Sequence, residues 1–145
     1  MDVLVVGAAG LLGSNVVSTA LSRGLSIVGS YHSTQPDFDV PLHEIDIRDT
    51  TDFEKILYDF NPSIVINCAA MTEVDACERS PERAHEINAA APENLASLCA
   101  EQNTTFVHIS TDYIFDGESD ERYREDDKPS PVQEYGRSKL AGEQA

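Results

Sequence analysis

Val3-Leu4-Val5-Val6-Gly7-Ala8-Ala9-Gly10-Leu11-Leu12-Gly13 begins two residues into the chain. Val3 to Val6 is a continuous, β-branched apolar run closed by Gly7. Such a run predicts a strand buried on both faces. Leu12, Val16, Val17, Ala20 and Leu21 then repeat at helical spacing over Leu11 to Ser22, and Gly24 marks the end of that helix. Between strand and helix lies Gly-x-x-Gly-x-x-Gly. A glycine loop there lets the backbone approach a pyrophosphate closely and aims a helix N-terminus at it. Gly13 would let the helix pack tightly on the strand. The spacing alone is a weak signal, but between a strand and a helix it is a strong one. It makes Gly7, Gly10, Leu11, Leu12 and Gly13 candidate cofactor-binding residues.

The rest of the chain repeats the alternation. Ser26 to Ser30, His43 to Asp46, Ser63 to Asn67 and Thr105 to Ser110 read as further strands. A helix capped by Asp49 or Thr50 carries Phe53, Ile56, Leu57 and Phe60 at i, i+3, i+4 and i+7, and Asn61-Pro62 stops it. Another starts at Ser80-Pro81, with Ser80 as its cap, and runs towards Gln102, with Pro92 placed to kink or interrupt it. Gly117 to Ser130 reads as a long polar loop, and a last helix opens near Gln133 or Glu134. Apolar strands alternating with helices call for an α/β fold of Rossmann type, a doubly wound parallel sheet. Right-handed crossovers give it the strand order 3-2-1-4-5.

The end of the second strand bears on which dinucleotide would bind. An Asp or Glu there would take the 2′-hydroxyl of NAD. Ser30-Tyr31-His32-Ser33-Thr34 has none, so nothing at that place repels a 2′-phosphate, and polar donors such as His32 and Ser33 could bind one. This favours NADP(H) over NAD(H), although no arginine stands in the segment. Asp46 and Ile47, after the third strand, are placed to meet the adenine, with the Asp46 carboxylate accepting from its amino group.

Tyr135 and Lys139 stand at i and i+4 and share one face of the last helix. An ammonium near a phenol stabilises the phenolate, so such a tyrosine can exchange a proton with a carbonyl or alcohol oxygen. Lys139 is one of only three lysines in the chain. Ser110-Thr111-Asp112 sits at the carboxyl end of the fifth strand, where open α/β sheets bind ligands, and Thr111 could hydrogen-bond the reacting oxygen.

Together these motifs resemble the extended short-chain dehydrogenase/reductase family. Asn67-Cys68-Ala69-Ala70-Met71-Thr72-Glu73-Val74-Asp75, Ile87-Asn88-Ala89, Ser110-Thr111-Asp112-Tyr113-Ile114-Phe115-Asp116-Gly117 and Tyr135-Gly136-Arg137-Ser138-Lys139-Leu140-Ala141-Gly142-Glu143 are similar to its dTDP-4-dehydrorhamnose reductase branch. The resemblance implies reduction of the 4-keto group of a nucleotide sugar by NADPH or NADH, with Thr111, Tyr135 and Lys139 as the catalytic triad. It implies that Cys68, Ala69 and Ala70 line the cofactor together with Tyr135 and Lys139, and that Thr72 and Tyr113 face the sugar. Asn88 would support the site from the long helix. Family members continue for about as much chain again. The expectation is therefore one incomplete dinucleotide-binding domain over 1–145, truncated before the last strands and the substrate domain. Two other readings stay open: a non-catalytic NADP-binding subunit resembling the regulatory β subunit of methionine adenosyltransferase, and another nucleotide-sugar reductase or epimerase.

Composition bounds the partners. With 26 acidic and 10 basic side chains among 145 residues, the formal charge is -16. That field repels nucleic-acid phosphates and anionic membranes alike. No apolar stretch approaches transmembrane length, and Met1-Asp2-Val3-Leu4 lacks a basic leader, so the expectation is a cytoplasmic protein, with a homodimer as one arrangement open to it. The acidic, lysine-poor composition reads as salt adaptation, since concentrated salt screens self-repulsion. The expectation is a chain that weakens in low salt. Cys68, Cys77 and Cys99 form no Cys-x-x-Cys pair, and His32, His43, His85 and His108 lie far apart, so no metal site is expected.

Overall fold

The computed structural model describes all residues, Met1–Ala145. In chain order the elements are β1 (Val3–Val6), α1 (Leu11–Ser22), β2 (Ile27–Tyr31), β3 (Leu42–Glu44), α2 (Thr50–Phe60), β4 (Ile64–Asn67), α3 (Val74–Arg79), α4 (Pro81–His85), a π-helical turn (Glu86–Ala90), α5 (Ala91–Glu101), β5 (Thr105–His108), a 3-10 turn (Asp112–Ile114) and α6 (Glu134–Gln144). They pack as two compact units. One holds Met1–Ala70 and Asn94–Ile109, the other Met71–Glu93 and Ser110–Ala145.

The first unit is built on a five-stranded parallel sheet in the order β3-β2-β1-β4-β5, as the alternation of the sequence predicts. β1 lies at its centre, with Val3 opposite Ile27 on one side and Ile64 on the other. All four β1 residues are buried, which is why the strand is apolar throughout rather than alternating. Val3, Val5 and Ile27 pack with Ala8, Val17 and Ala20, and Val16 packs against them half-buried. Val16, Val17 and Ala20 of the predicted α1 stripe thus meet the sheet, whereas Leu12 and Leu21 at its ends are exposed. Phe53, Ile56 and Leu57 are the buried face of α2. The Asp49 carboxylate caps that helix by accepting from Thr51 N at 3.0 Å, and Asn61 ends it in a left-handed conformation.

The strand ends differ from expectation by one or two residues, each for a local reason. Ser26 lies outside β2 because its carbonyl accepts from Asp2 N and Val3 N, and its amide and hydroxyl bind the Asp2 carboxylate. β3 is Leu42–Glu44 rather than 43–46 because Asp46 opens a turn, its carbonyl accepting from Asp49 N and its carboxylate from Arg48 N. Ser63 N is given to Met1 O before β4 begins. β5 stops at His108 rather than Ser110 because its partner β4 ends opposite it, at Asn67.

The second unit is helical. Ser80 does not cap with its hydroxyl as expected: Pro81 follows it at the helix start, and only its carbonyl takes part, accepting from Ala84 N at 3.0 Å. The interruption expected at Pro92 is a π-helical turn over the five residues before α5. Proline has no N–H for the carbonyl four residues back, and a widened turn absorbs the missing bond. α3, a short helix with Cys77 as its buried residue, was not visible in the sequence.

Candidate functional site

The glycine loop lies in the first unit. Gly7 has φ +81°, a conformation L side chains rarely adopt, and a Cβ there would stand 2.9 Å from Ala69 N. A Cβ on Gly13 would collide with the Gly7 carbonyl, reaching 2.8 Å from its carbon. These two glycines therefore hold the loop, the start of α1 and the end of β4 together. Gly10 differs: a Cβ there would meet only Gly7 O at 3.4 Å, so its outer side is open. Gly10 is also the N-cap of α1, with no side-chain cap and no acidic residue in the first turn. The helix N-terminus thus presents amide N–H groups with no competing carboxylate, the arrangement that suits a phosphate. The loop fits the pyrophosphate of a dinucleotide. Leu11 and Leu12 are exposed beside it, at 87% and 46%.

The other candidates of this unit lie at strand ends. Cys68, Ala69 and Ala70 follow β4 and are half-buried. Asn67 holds their turn, accepting from Ala69 N at 3.1 Å and pairing with His108 Nδ1 at 3.2 Å. His32 and Ser33 follow β2 and are exposed, while Ile47 is buried. The Asp46 carboxylate is engaged by an arginine that strand-end reasoning overlooked. Arg48 Nε reaches both of its oxygens at 3.0 and 3.1 Å, and Arg48 Nη2 reaches Oδ2 at 2.5 Å. His32 Nε2 lies 3.8 Å from the same oxygen. Arg48 holds the Asp46 pKa down at about 2.

The second unit carries the candidate triad. Thr111 accepts from Tyr113 N at 3.2 Å and lies 3.3 Å from Asp112 Oδ1, which opens the 3-10 turn. Tyr113 meets Tyr135 edge to face, with ring centroids 5.7 Å apart. A Cβ on Gly136 would stand 3.0 Å from the Tyr113 carbonyl carbon, so backbone packs on backbone there. The segment after β5 and the start of α6 are thereby brought together. The Gln133 side chain fixes the start of α6 by accepting from Gly136 N at 2.6 Å. One turn after Tyr135, Lys139 is 2% exposed. Burial pulls its pKa from 10.5 down to about 8, with Glu143 opposing the shift.

Asn88 anchors this unit. It is fully buried in the π-helical turn, accepts from Met71 N at 2.8 Å, and donates to Met71 O and Ser138 Oγ at 3.0 Å each. Ser138 passes the link on, donating to Tyr135 O at 2.8 Å. The segment that carries Thr72 is thus tied to the helix that carries Tyr135 and Lys139.

Residues 1–145 match the family described as RmlD substrate binding domain. The chain is 53% identical over all its 145 residues to the probable low-salt glycan biosynthesis reductase Agl14 of Haloferax volcanii, of which it covers 48%. It is 40% identical over 99% of its length to a dTDP-4-dehydrorhamnose reductase of Mycolicibacterium smegmatis, covering 40% of that protein. Among solved structures, dTDP-4-dehydrorhamnose reductase of Bacillus anthracis in complex with NADP superposes over 99% of this chain and 49% of its own, with a TM-score of 0.86 and 32% identity. The chain therefore spans about half the length of the curated relatives it matches. No helix is long and apolar enough to cross a membrane. Matched from its first residue to its last, the chain belongs to the RmlD substrate binding domain family, as its resemblance to the dTDP-4-dehydrorhamnose reductases anticipates.

Proposed function

We propose that the chain is the dinucleotide-binding part of a reductase that uses NADPH, in preference to NADH, to reduce the 4-keto group of a nucleotide sugar, with dTDP-4-dehydrorhamnose the foremost candidate. The observation that carries the reading is the buried Lys139 one turn from Tyr135 on α6, with the Thr111 segment packed on that helix by the Tyr113–Tyr135 contact. The nicotinamide, when bound, supplies the hydride. Gly7, Gly10 and Gly13 with the N-terminus of α1 hold the pyrophosphate. Asp46 and Ile47 flank the adenine, and Cys68, Ala69 and Ala70 line the coenzyme. Tyr135 gives its proton to the keto oxygen as that oxygen gains charge, Thr111 orients the carbonyl, and Lys139 holds the nicotinamide ribose and places its ammonium near the phenol. Thr72 and Tyr113 face the sugar. The protein acts in the cytoplasm of a salt-adapted cell, with a homodimer as its proposed assembly. The low-salt glycan biosynthesis reductase of Haloferax volcanii supports a glycan precursor as product.

The test is turnover of dTDP-4-keto-6-deoxy-mannose with NADPH by the full-length protein. Tyr135→Phe is expected to lower kcat by about 100-fold or more while NADPH affinity stays within about twofold. Retained turnover would refute the proton role. Coenzyme binding without turnover of any 4-keto nucleotide sugar by the unsubstituted protein would favour the non-catalytic subunit.

A further inference from the structure

We propose that Arg48, assisted by His32, binds the 2′-phosphate of the adenine dinucleotide and so sets the choice of NADPH over NADH. This rests on the dinucleotide reading above and assigns its coenzyme preference to particular side chains. All of them lie in the first unit.

The geometry follows from the pairing of β2 with β3. Tyr31 stands opposite Glu44, and Tyr31 O accepts from Ile45 N at 2.8 Å. The residues just beyond the two strands, His32 and Asp46, therefore leave the sheet side by side. A dinucleotide whose ribose carries a free 2′-hydroxyl is held here by a carboxylate that accepts from it. β2 ends without one. Both Asp46 oxygens are already engaged by Arg48, and its Oδ2 is also near His32. Asp46 is thus a poor acceptor for a diol and, being neutralised, a weak source of repulsion for a phosphate.

The guanidinium gives the place its positive character. A guanidinium has five N–H donors, of which the Nε–Nη2 edge that faces Asp46 uses two, and charge-assisted bonds from such a group to phosphate oxygens are stronger than neutral ones. Arg48 and His32 are accessible, at 40% and 68% side-chain exposure. In a chain of formal charge -16 with 10 basic residues, a cationic or neutral island of this kind stands out from the surrounding field. The α1 N-terminus is formed by other residues, Gly10 and Leu11 onward, so pyrophosphate and 2′-phosphate would each have their own donors.

The experiment is calorimetric titration of the full-length protein with adenosine 2′,5′-bisphosphate and, separately, adenosine 5′-monophosphate, at one fixed salt concentration. The unsubstituted protein is expected to bind the bisphosphate about tenfold more tightly or better. Arg48→Gln should bring that ratio close to one while changing monophosphate affinity less than about twofold, Arg48→Lys should fall between, and His32→Gln should lose a smaller part. Circular dichroism of each variant checks the fold. A ratio that Arg48→Gln leaves unchanged overturns the proposal. So does an equal loss for both nucleotides, which would mean that Arg48 only braces Asp46. Equal binding of the two nucleotides by the unsubstituted protein removes the coenzyme preference but leaves a dinucleotide site. Failure to bind either one overturns the dinucleotide reading, and this proposal with it.

Discussion

Each unit is held together internally by its own kind of contact. In the first, the central strand is Val3–Val6, buried on every side, and the residues proposed to bind the coenzyme pyrophosphate act through backbone and through the absence of side chains at Gly7 and Gly13. In the second, the buried positions include Asn88, Ser138 and Lys139, and the anchor is a chain of side-chain hydrogen bonds from Met71 through Asn88 and Ser138 to Tyr135. Apolar packing tolerates small shifts, whereas a buried polar network keeps its value only when every member is satisfied. A unit proposed to place a proton donor is thus built from the more exacting kind of contact.

The sharpest way to break this contrast is to remove one anchor from each unit. Phe53→Ala empties a fully buried ring site in α2 and is expected to cost about 3–5 kcal/mol. Asn88→Ala strands the amide of Met71 and leaves its carbonyl only the weak Cys77 thiol at 3.5 Å, and the cost is expected to be about 1–3 kcal/mol, that of one orphaned group. Denaturant unfolding of the full-length protein measures both. Asn88→Ala without loss of stability would show that the polar chain is not what anchors the second unit.

Glycine positions come next in expected size. Gly13→Ala and Gly136→Ala each press a methyl group into a carbonyl, that of Gly7 in one unit and Tyr113 in the other. Alanine would gain about 1 kcal/mol of helix propensity, but overpacking costs about 1–3 kcal/mol and, against rigid backbone, wins. Both variants should melt below the unsubstituted protein. In addition, Gly13→Ala should weaken dinucleotide binding, while Gly136→Ala should lower turnover.

Those glycines also mark how far the sequence could be read. The loop was legible because a buried parallel strand needs an unbroken apolar run and the turn after it needs glycine, both local requirements. The sheet order followed from the handedness of crossovers. The second unit was legible only where its residues matched a family motif, as at Tyr135 and Lys139. Asn88 meets Ser138 across 50 positions and Met71 across 17, and no local pattern records such pairs. α3 spans six residues with Cys77 buried, too short for a periodic stripe. Arg48 could have been found by placing the ends of β2 and β3 side by side, as the predicted parallel order requires.

Lys139 gives a pH test of the buried charge. Its pKa is about 8 in the fold against 10.5 when unburied. Below pH 8 folded and unfolded chains both carry the proton, and the fold bears the cost of a buried charge. Between about 8 and 10.5 the unfolded chain holds the proton and the fold has released it, so stability rises with pH across that window. If the ammonium is needed for turnover, activity falls as pH rises through about 8, the pKa in the fold. Lys139→Met should flatten this part of the stability profile, keep or raise stability at pH 7, and abolish turnover. A stability profile identical to that of the unsubstituted protein would show that Lys139 is not the titrating group.

The smallest expected difference lies between two helix starts. Asp49 caps α2 with its carboxylate, and Asp49→Ala should cost about 1 kcal/mol. Ser80 occupies the same position before α4 but makes no side-chain cap bond, so Ser80→Ala should fall within about 0.5 kcal/mol of zero. Both residues are typical caps by type, and the sequence gives no reason to rank them. The backbone does: Asp49 sits at φ -108°, ψ 112° with its carboxylate over Thr51 N, whereas Ser80 sits at φ -143°, ψ 68°, between α3 and the proline that starts α4. Equal costs at the two positions would mean that the Ser80 hydroxyl finds the α4 amides in solution, and the second unit would then share the capping device of the first.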